Sequence, residues 1–145
     1  MAFQSIAVID DDPFVVTYLN KAFLERLPDV EVVGVLEPIA PFAFDVYVVD
    51  REFDGESLGG GIIQRIHDIA PESLIRAYSA HLDREFLRGL LSQGCAGAFD
   101  KGSIDELRSM ITLVEIFLSR SCNPTSPVNG LTNTVLAIAS LLKEW

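Results

Sequence analysis

Three consecutive carboxylates end the first apolar run of the chain, in the segment IAVIDDDPF at residues 6–14. Asp10, Asp11 and Asp12 carry like charges that repel one another, and the end of a buried strand is partly shielded from water. Such a group is unfavourable unless a cation neutralises it. Carboxylate oxygens are hard ligands of the kind that Mg²⁺ prefers, so the segment predicts a site for a divalent cation.

Asp12 is expected to have a structural role rather than to bind the cation. It directly precedes Pro13; proline is favoured in the first turn of a helix, and aspartate is a preferred N-cap. Proline also keeps the residue before it out of helical geometry, as an N-cap requires. We therefore predict that a helix begins at Pro13 and that Asp12 caps it.

The segments that position these residues alternate between β-branched apolar runs and helical periodicity. The predicted strands are residues 5–10, 30–36, 45–50, 73–80 and 97–101, and the predicted helices are residues 13–27, 61–70, 83–93 and 104–119. Continuous apolar strands that alternate with helices indicate an α/β fold, with a parallel sheet covered on both faces. Only residues 37–44 separate the second strand from the third, and they include two prolines. This crossover is therefore predicted to be one short helical turn or a loop.

The length of 145 residues suits one domain with a full hydrophobic core. We expect residues 1–121 to form this domain and residues 122–145 to form a linker and a C-terminal helix. The net charge of −10 argues against binding to nucleic acid or to an anionic membrane. The sequence has no apolar stretch of about 20 residues that would span a membrane, and its N-terminus lacks the features of a secretion signal. These observations predict a cytoplasmic protein in which Cys95 and Cys122 are reduced thiols.

Side chains capable of chemistry follow four of the five predicted strands. Asp10 and Asp11 end the first strand, Asp50 the third, Ser79 the fourth and Lys101 the fifth. In a parallel α/β sheet, ligands bind beyond the carboxyl ends of the strands, where the strand order reverses. The sequence therefore brings three carboxylates, a hydroxyl and an amine to one rim of the sheet.

This set of motifs resembles the receiver domain of two-component response regulators, over residues 5 to about 120. The motifs are the acidic pair Asp10 and Asp11, the Asp50 that closes strand three, the pair Ser79 and Ala80 after strand four, and Lys101 of strand five. The resemblance implies a flavodoxin-like, doubly wound sheet of five parallel strands in the order 2-1-3-4-5. It also implies that Asp50 accepts a phosphoryl group from a histidine kinase or a histidine phosphotransfer protein.

The resemblance further implies how the site is divided among its residues. Mg²⁺ would be held by Asp10, Asp11, Asp50 and the backbone carbonyl of Glu52, and the phosphoryl group would be bound by the switch residues Ser79, Ala80 and Lys101. The chemistry of the side chains agrees, because a carboxylate can attack phosphorus to form an acyl phosphate. A lysine, a hydroxyl and a cation can stabilise the equatorial oxygens in that transfer.

Glu52 and His81 lie two residues beyond Asp50 and Ser79. Both should therefore flank the phosphoryl group, where a side chain can orient or repel the attacking water. We expect these two residues to tune the lifetime of the phosphoryl group.

Two departures from the usual receiver pattern are visible. The segment DREFDGESLGGG at residues 50–61 has no proline, and Gly59–Gly61 predict a flexible loop there. Ala98 stands three positions before Lys101, where receivers often carry an aromatic that moves on phosphorylation, and Phe99 lies beside it. The usual aromatic switch is therefore missing from its expected position.

The last helix of the domain is expected to carry the output surface. One apolar stripe, formed by Ile104, Leu107, Ile111, Val114 and Leu118, can face the sheet, and a second, formed by Met110, Leu113 and Phe117, points elsewhere. The tail carries a matching stripe of Leu131, Val135, Ile138, Leu142 and Trp145. We predict that the tail packs against the second stripe, within one chain or across a homodimer. Because the sequence has no recognisable output domain, we expect a stand-alone receiver that signals through contacts with a downstream protein or a second copy.

Two other functions remain open. A receiver-like binding module that is never phosphorylated would fit the reshaped loop and the missing aromatic. A haloacid-dehalogenase-type phosphatase would use Asp10 as the nucleophile and Asp12 as the acid or base, but that family needs a further acidic pair after the lysine strand. Here Asp105 and Glu106 fit the first turn of a helix instead, and Asp50 would have no role.

Overall fold

The computed structural model describes residues 4–42, 44–80, 88–89 and 95–121. One sheet contains the five strands β1 (Ser5–Ile9), β2 (Glu31–Val35), β3 (Val46–Val49), β4 (Leu74–Ser79) and β5 (Ala98–Asp100). The helices that flank it are α1 (Pro13–Arg26), α2 (Gly59–Ile69) and α3 (Ile104–Ser121). None of these three helices is long and apolar enough to cross a membrane.

Every neighbouring pair of strands in this sheet is parallel, and the strand order is β2-β1-β3-β4-β5. The predicted α/β fold and its strand order are therefore confirmed. The order reverses at β1, because β2 lies on one side of it and β3 on the other. The register pairs Ile9 with Val49 and Ser79 with Asp100, so the carboxyl ends of these strands meet at one rim.

Helices cover both faces of the sheet, as continuous apolar strands require. On one face, here called the α1/α3 face, Leu19, Phe23 and Val114 join alternate strand residues in a core. On the opposite face, here called the α2 face, Ile62 and Ile66 join the remaining strand residues. All side chains of β1, β3 and β4 are buried. The sheet is therefore a rigid base for the residues at its rim.

The second crossover is a loop, in agreement with the prediction of a short turn or a loop. Residues 36–42 and 44–45 contain no helix. Phe44 packs against the α2 face and meets the ring of Tyr47 edge to face, with 5.8 Å between the ring centres. The Tyr47 hydroxyl donates to the carbonyl of Pro41 at 2.8 Å. A buried side chain of β3 thus fixes the course of this loop.

The side chains of α3 differ from the predicted stripes in two places. Met110, predicted to face away from the sheet, is fully buried in the core of the α1/α3 face, and the half-buried Leu113 and Phe117 pack against the same core. Met110 lies three residues after Leu107, so on a helix the two share a face. Ile104, predicted to face the sheet, is 60% exposed at the first position of α3. Met110 therefore faces the core, and its predicted orientation away from the sheet is wrong.

The start of α2 also differs from the prediction. Gly59–Gly61 form the first turn of this helix, so the flexible loop predicted for them is wrong. A Cβ on Gly59 would lie 2.3 Å from the backbone oxygen of Asp50 and 2.7 Å from the Cα of Arg51. Glycine lets the helix begin directly against the backbone that follows β3.

Several predictions concern residues outside the described ranges. His81, and the linker and helix predicted at residues 122–145, lie there entirely. Of the helix predicted at residues 83–93, the structure describes residues 88–89, which are helical.

Candidate functional site

Two buried carboxylates stand side by side at the carboxyl rim of the sheet. The Asp10 N–H donates to the Val35 carbonyl and the Asp50 N–H donates to the Ile9 carbonyl, each at 3.0 Å. The pairing of β1 with β2 therefore extends to Asp10, and the pairing of β3 with β1 extends to Asp50. Oxygen atoms of Asp10, Asp11 and Asp50 all lie within 4.8 Å of one another. The register of the sheet therefore brings together carboxylates that are 40 positions apart in the chain.

Asp12 caps the first helix, as predicted. Its backbone is extended, with φ −89° and ψ 110°, and its Oδ1 accepts a hydrogen bond from the Phe14 N–H at 2.9 Å. The Asp12 N–H donates to Oδ1 of Asp10, also at 2.9 Å. The cap therefore ties the start of α1 to the carboxylate at the end of β1.

Lys101 brings a positive charge into contact with the carboxylates. Its Nζ lies 2.6 Å from Oδ2 of Asp10 and 3.1 Å from Oδ2 of Asp50. Its backbone N–H donates to the Ser79 carbonyl at 3.1 Å, which continues the pairing of β5 with β4. Among the residues that the structure describes, one ammonium group offsets one of three carboxylates, which leaves a net negative charge on this set.

Burial and pairing act on these groups in opposite directions. The pKa of Asp10 is raised above its ordinary value, mainly because the carboxyl group is buried. The negative charge of Asp50 raises this pKa further, whereas hydrogen bonds from Lys101 and from the Asp12 N–H lower it. Burial lowers the pKa of Lys101, but the hydrogen bonds and charges of Asp10 and Asp50 outweigh burial and raise the pKa above its usual value. A further cation at the cluster would favour the ionised form of Asp10.

A cavity of about 230 Å³ contains the cluster. It is lined by Asp10, Asp11, Asp12, Asp50, Glu52, Gly55, Ser79, Ala80 and Lys101. The Ser79 side chain is buried at the end of β4, whereas Ala80 is exposed. Every residue predicted to bind the metal or the phosphoryl group lines this one cavity. His81, predicted to tune the lifetime of the phosphoryl group, lies outside the described residues.

The Asp50 carboxylate is held at both of its oxygens. Oδ1 accepts a hydrogen bond from the Arg51 N–H at 2.8 Å, and Oδ2 lies 3.1 Å from the ammonium group of Lys101. The Arg51 carbonyl in turn accepts a hydrogen bond from the Gly59 N–H at 2.9 Å. The first turn of α2 therefore helps to fix the backbone that carries Asp50.

A short hairpin next to Asp50 lies beyond what the sequence analysis predicted. It pairs Glu52–Phe53 with Glu56–Ser57 in antiparallel orientation, and Phe53 is buried in the core of the α2 face. The turn residues Asp54 and Gly55 have φ angles of 52° and 81°. Asp-Gly is a favoured pair for such a two-residue turn. This pair was the available signal, but strands of two residues are too short to show an alternating pattern.

Ala98 and Phe99 face opposite sides of the sheet. Ala98 belongs to the core of the α2 face and Phe99 to that of the α1/α3 face. The guanidinium of Arg76, a charged residue inside β4 that the sequence analysis passed over, lies 5.7 Å from the centre of the Phe99 ring. Burial lowers the pKa of Arg76 to about 10. The aromatic ring beside the expected switch position therefore packs on the side of α3 rather than of α2.

The donor set fits a Mg²⁺ ion. Asp10, Asp11 and Asp50 each offer a carboxylate oxygen within a space that one small cation can share. Mg²⁺ prefers such oxygen ligands, keeps several water molecules and is usually bound through few carboxylates. The negative charge that remains beside Lys101 further favours a divalent cation.

No protein-family model matches the chain, and no curated protein matches it in sequence. Solved structures do resemble it. The response regulator DrrB of Thermotoga maritima, an OmpR/PhoB homolog, has a TM-score of 0.67 and 22% identity, over 83% of this chain and 54% of DrrB. The BeF3-activated receiver domain of DrrB has a TM-score of 0.69 and 22% identity, over 81% of this chain and 99% of that domain. A CheY-like receiver domain protein from Methanospirillum hungatei has a TM-score of 0.69 and 17% identity, with coverages of 82% and 96%.

These comparisons show that the chain has the fold of a response-regulator receiver domain. It spans about half the length of the first DrrB structure and nearly all of the isolated receiver domains. The fold implied by the sequence motifs is therefore confirmed.

Proposed function

We propose that the chain is a stand-alone receiver of two-component signalling that accepts a phosphoryl group on Asp50 from a histidine kinase or a histidine phosphotransfer protein. One observation carries the proposal: Asp50 shares Lys101 with Asp10 in a cavity at the carboxyl rim of a receiver-like sheet. Asp10, Asp11, Asp50 and the backbone carbonyl of Glu52 would hold Mg²⁺. The net charge of −10 favours protein partners over nucleic acid, and we place the protein in the cytoplasm.

The residues of the cavity have complementary tasks in phosphoryl transfer. The Arg51 N–H holds Oδ1 of Asp50, so Oδ2, on the side of Lys101, would attack phosphorus. As this O–P bond forms, the P–N bond to the donor histidine breaks and its imidazole leaves. The ammonium group of Lys101 would then move from the carboxylates to one equatorial oxygen of the phosphoryl group, and the Ser79 hydroxyl would donate a hydrogen bond to another. When bound, Mg²⁺ supplies the neutralisation that lets an anionic donor approach an anionic nucleophile.

Glu52 and His81 are proposed to set the lifetime of the acyl phosphate. Glu52 lines the same cavity as Asp50, where a carboxylate can orient or repel water. We expect a changed dephosphorylation rate in Glu52→Ala and in His81→Ala, with the exposed Glu56→Ala as the control. If both variants lose phosphate at the wild-type rate, this role is excluded.

Phosphorylation is proposed to act through changed protein contacts. Lys101 lies three residues before the start of α3, so its movement toward a phosphoryl group would reach this helix directly. Phe99 packs in the core that α3 helps to form. We retain residues 1–121 as the receiver domain and residues 122–145 as a linker and helix as part of this proposal.

Intact-mass measurement after incubation with acetyl phosphate and Mg²⁺ tests the proposal. We expect one phosphoryl group per chain in the wild type and in the control Asp29→Asn, at an exposed position after α1, and none in Asp50→Asn or without Mg²⁺. An unchanged wild-type mass with both acetyl phosphate and a histidine-kinase donor would favour the receiver-like binding module. A phosphoryl group that persists in Asp50→Asn and is lost in Asp10→Asn would favour a phosphatase with Asp10 as the nucleophile.

A further inference from the structure

The hairpin beside Asp50 is anchored at three points. Phe53 is buried in the core of the α2 face, and the Leu58 N–H donates to the Glu56 carbonyl at 3.0 Å at the start of α2. The third anchor is at the tip, where the backbone N–H of Asp54 donates to Oδ2 of Asp11 at 2.9 Å. The tip of the hairpin thus contacts one of the three clustered carboxylates across 43 positions of sequence.

The conformation of the tip depends on Gly55. Asp54 and Gly55 have φ angles of 52° and 81°, in the left-handed region that glycine adopts freely and asparagine and aspartate tolerate. A Cβ on Gly55 would meet no atom within 4 Å. A substitution at this position therefore changes the backbone preference of the turn without a steric clash.

We propose that the turn formed by Asp54 and Gly55 positions Asp11 for the metal, so that the backbone conformation at Gly55 sets the affinity for Mg²⁺. This inference rests on the proposed Mg²⁺ site and adds a positioning residue to it. An ionised carboxylate accepts hydrogen bonds at both oxygens. The hydrogen bond from the Asp54 N–H to Oδ2 orients the Asp11 carboxylate and leaves Oδ1 to bind the cation. Groups that orient metal ligands in this way typically change metal affinity by about 10- to 100-fold when removed.

The coupling must be reciprocal. If the turn strengthens the binding of Mg²⁺, then bound Mg²⁺ strengthens the turn by the same factor, because both describe one thermodynamic cycle. Hydrogen exchange of the Asp54 amide reports the turn directly, because this N–H is the donor to Asp11. Saturating Mg²⁺ should therefore slow exchange at Asp54.

The decisive comparison uses three glycine variants of the full chain. Gly55→Ala disfavours the left-handed turn, Gly55→Asn tolerates it, and Gly61→Ala adds a methyl group to α2, where a Cβ also meets no atom within 4 Å. By calorimetric titration with Mg²⁺ alone, we expect about tenfold weaker binding in Gly55→Ala and wild-type affinity in the other two variants. Slower Asp54 exchange with Mg²⁺ is expected in the wild type and lost in Gly55→Ala.

The outcomes separate this inference from the proposed function. If the wild type does not bind Mg²⁺, the metal site itself is overturned. If the wild type binds and Gly55→Ala binds equally well, the metal site stands and the positioning role is overturned. Should Gly55→Ala fail to fold, Asp11→Ala, which removes both oxygens of the side chain, provides a second test in the absence of metal. Faster Asp54 exchange than in the wild type supports the contact with Asp11, and unchanged exchange overturns the role.

Discussion

The ammonium group of Lys101 lies 2.6 Å from Oδ2 of Asp10, a carboxylate buried at the end of β1. This contact joins β5, at one edge of the sheet, to β1 across the two strands between them. The same ammonium group contacts Asp50 at 3.1 Å. Within the described residues, Asp10 and Asp50 therefore share one ammonium group as their ion-pair partner.

Removing this cation should destabilise the fold. We expect Lys101→Ala to lower the free energy of unfolding by about 2 kcal/mol in metal-free buffer, because Asp10 stays buried and charged beside Asp50. The value lies below that for a fully buried pair because the Lys101 side chain is 18% exposed. Denaturant titration measures the loss, and Lys21→Ala, at an exposed position of α1, is the control. Equal stability of the two variants would contradict the prediction.

Tyr78 should make stability depend on alkaline pH. Burial, followed by the charges of Tyr18, Asp100, Asp10 and Glu106, raises the pKa of Tyr78 to about 12. In the unfolded chain, the pKa of this hydroxyl is the ordinary tyrosine value of about 10. The stabilisation is therefore complete below pH 10 and lost as the pH rises toward 12.

Comparison of variants isolates this effect from other groups that titrate in the same range. Between pH 9 and pH 12, the wild type should lose about 2 kcal/mol more unfolding free energy than Tyr78→Phe. Tyr18→Phe, which removes a half-exposed hydroxyl, should retain most of the wild-type loss. Identical pH profiles for the wild type and Tyr78→Phe would show that Tyr78 ionises normally.

Gly59 and Gly61, two glycines in the first turn of α2, should respond in opposite ways to the same change. In Gly59→Ala the new methyl group would meet the backbone of Asp50 and Arg51, which cannot move aside, so we expect a loss of about 3 kcal/mol. In Gly61→Ala the methyl group enters open space within a helix, and we expect a gain of about 0.5 kcal/mol. Thermal and denaturant unfolding of both variants would test this, and a similar change in both would refute the steric argument.

Neighbouring aspartates should contribute unequally to metal binding. Asp11→Asn removes a charge from the cluster and should weaken Mg²⁺ binding on the order of tenfold. Asp12→Asn should stay within about threefold of the wild type, because asparagine is also a good N-cap and Asp12 caps α1. Titration with Mg²⁺ gives both affinities. A larger effect at Asp12 than at Asp11 would reverse the assignment of the two residues.

The site was accessible from the sequence because parallel strands place their ends at one rim. Asp50 and Lys101 each follow a recognisable apolar strand, and the parallel register places the ends of these strands at the same end of the sheet. The burial of the α3 side chains was harder to predict, because the spacing of apolar residues does not show how wide the buried stripe of a helix is. Met110 and Leu107 are both buried, and Ile104 is exposed where α3 begins.

The segment after Asp50 was misjudged because tertiary packing overrides local preference there. Three successive glycines have low helix propensity, yet Gly59–Gly61 start α2. Gly59 fits because it has no side chain to collide with the Asp50 backbone, a relationship that the sequence does not display. The burial of Phe53, which anchors a hairpin of four paired residues, is likewise a tertiary contact that the sequence does not display.

β2 differs from the other strands in how it can open. It lies at the edge of the sheet, its residues are exposed or half-buried, and a loop rather than a helix follows it. Edge elements with few buried contacts separate from a domain at a lower free energy than its core. We therefore expect β2 to detach from β1 in a subglobal event that leaves β3 and β4 paired. Asp50, the proposed phosphoacceptor, directly follows β3, so we expect it to keep its place when only this edge of the sheet opens.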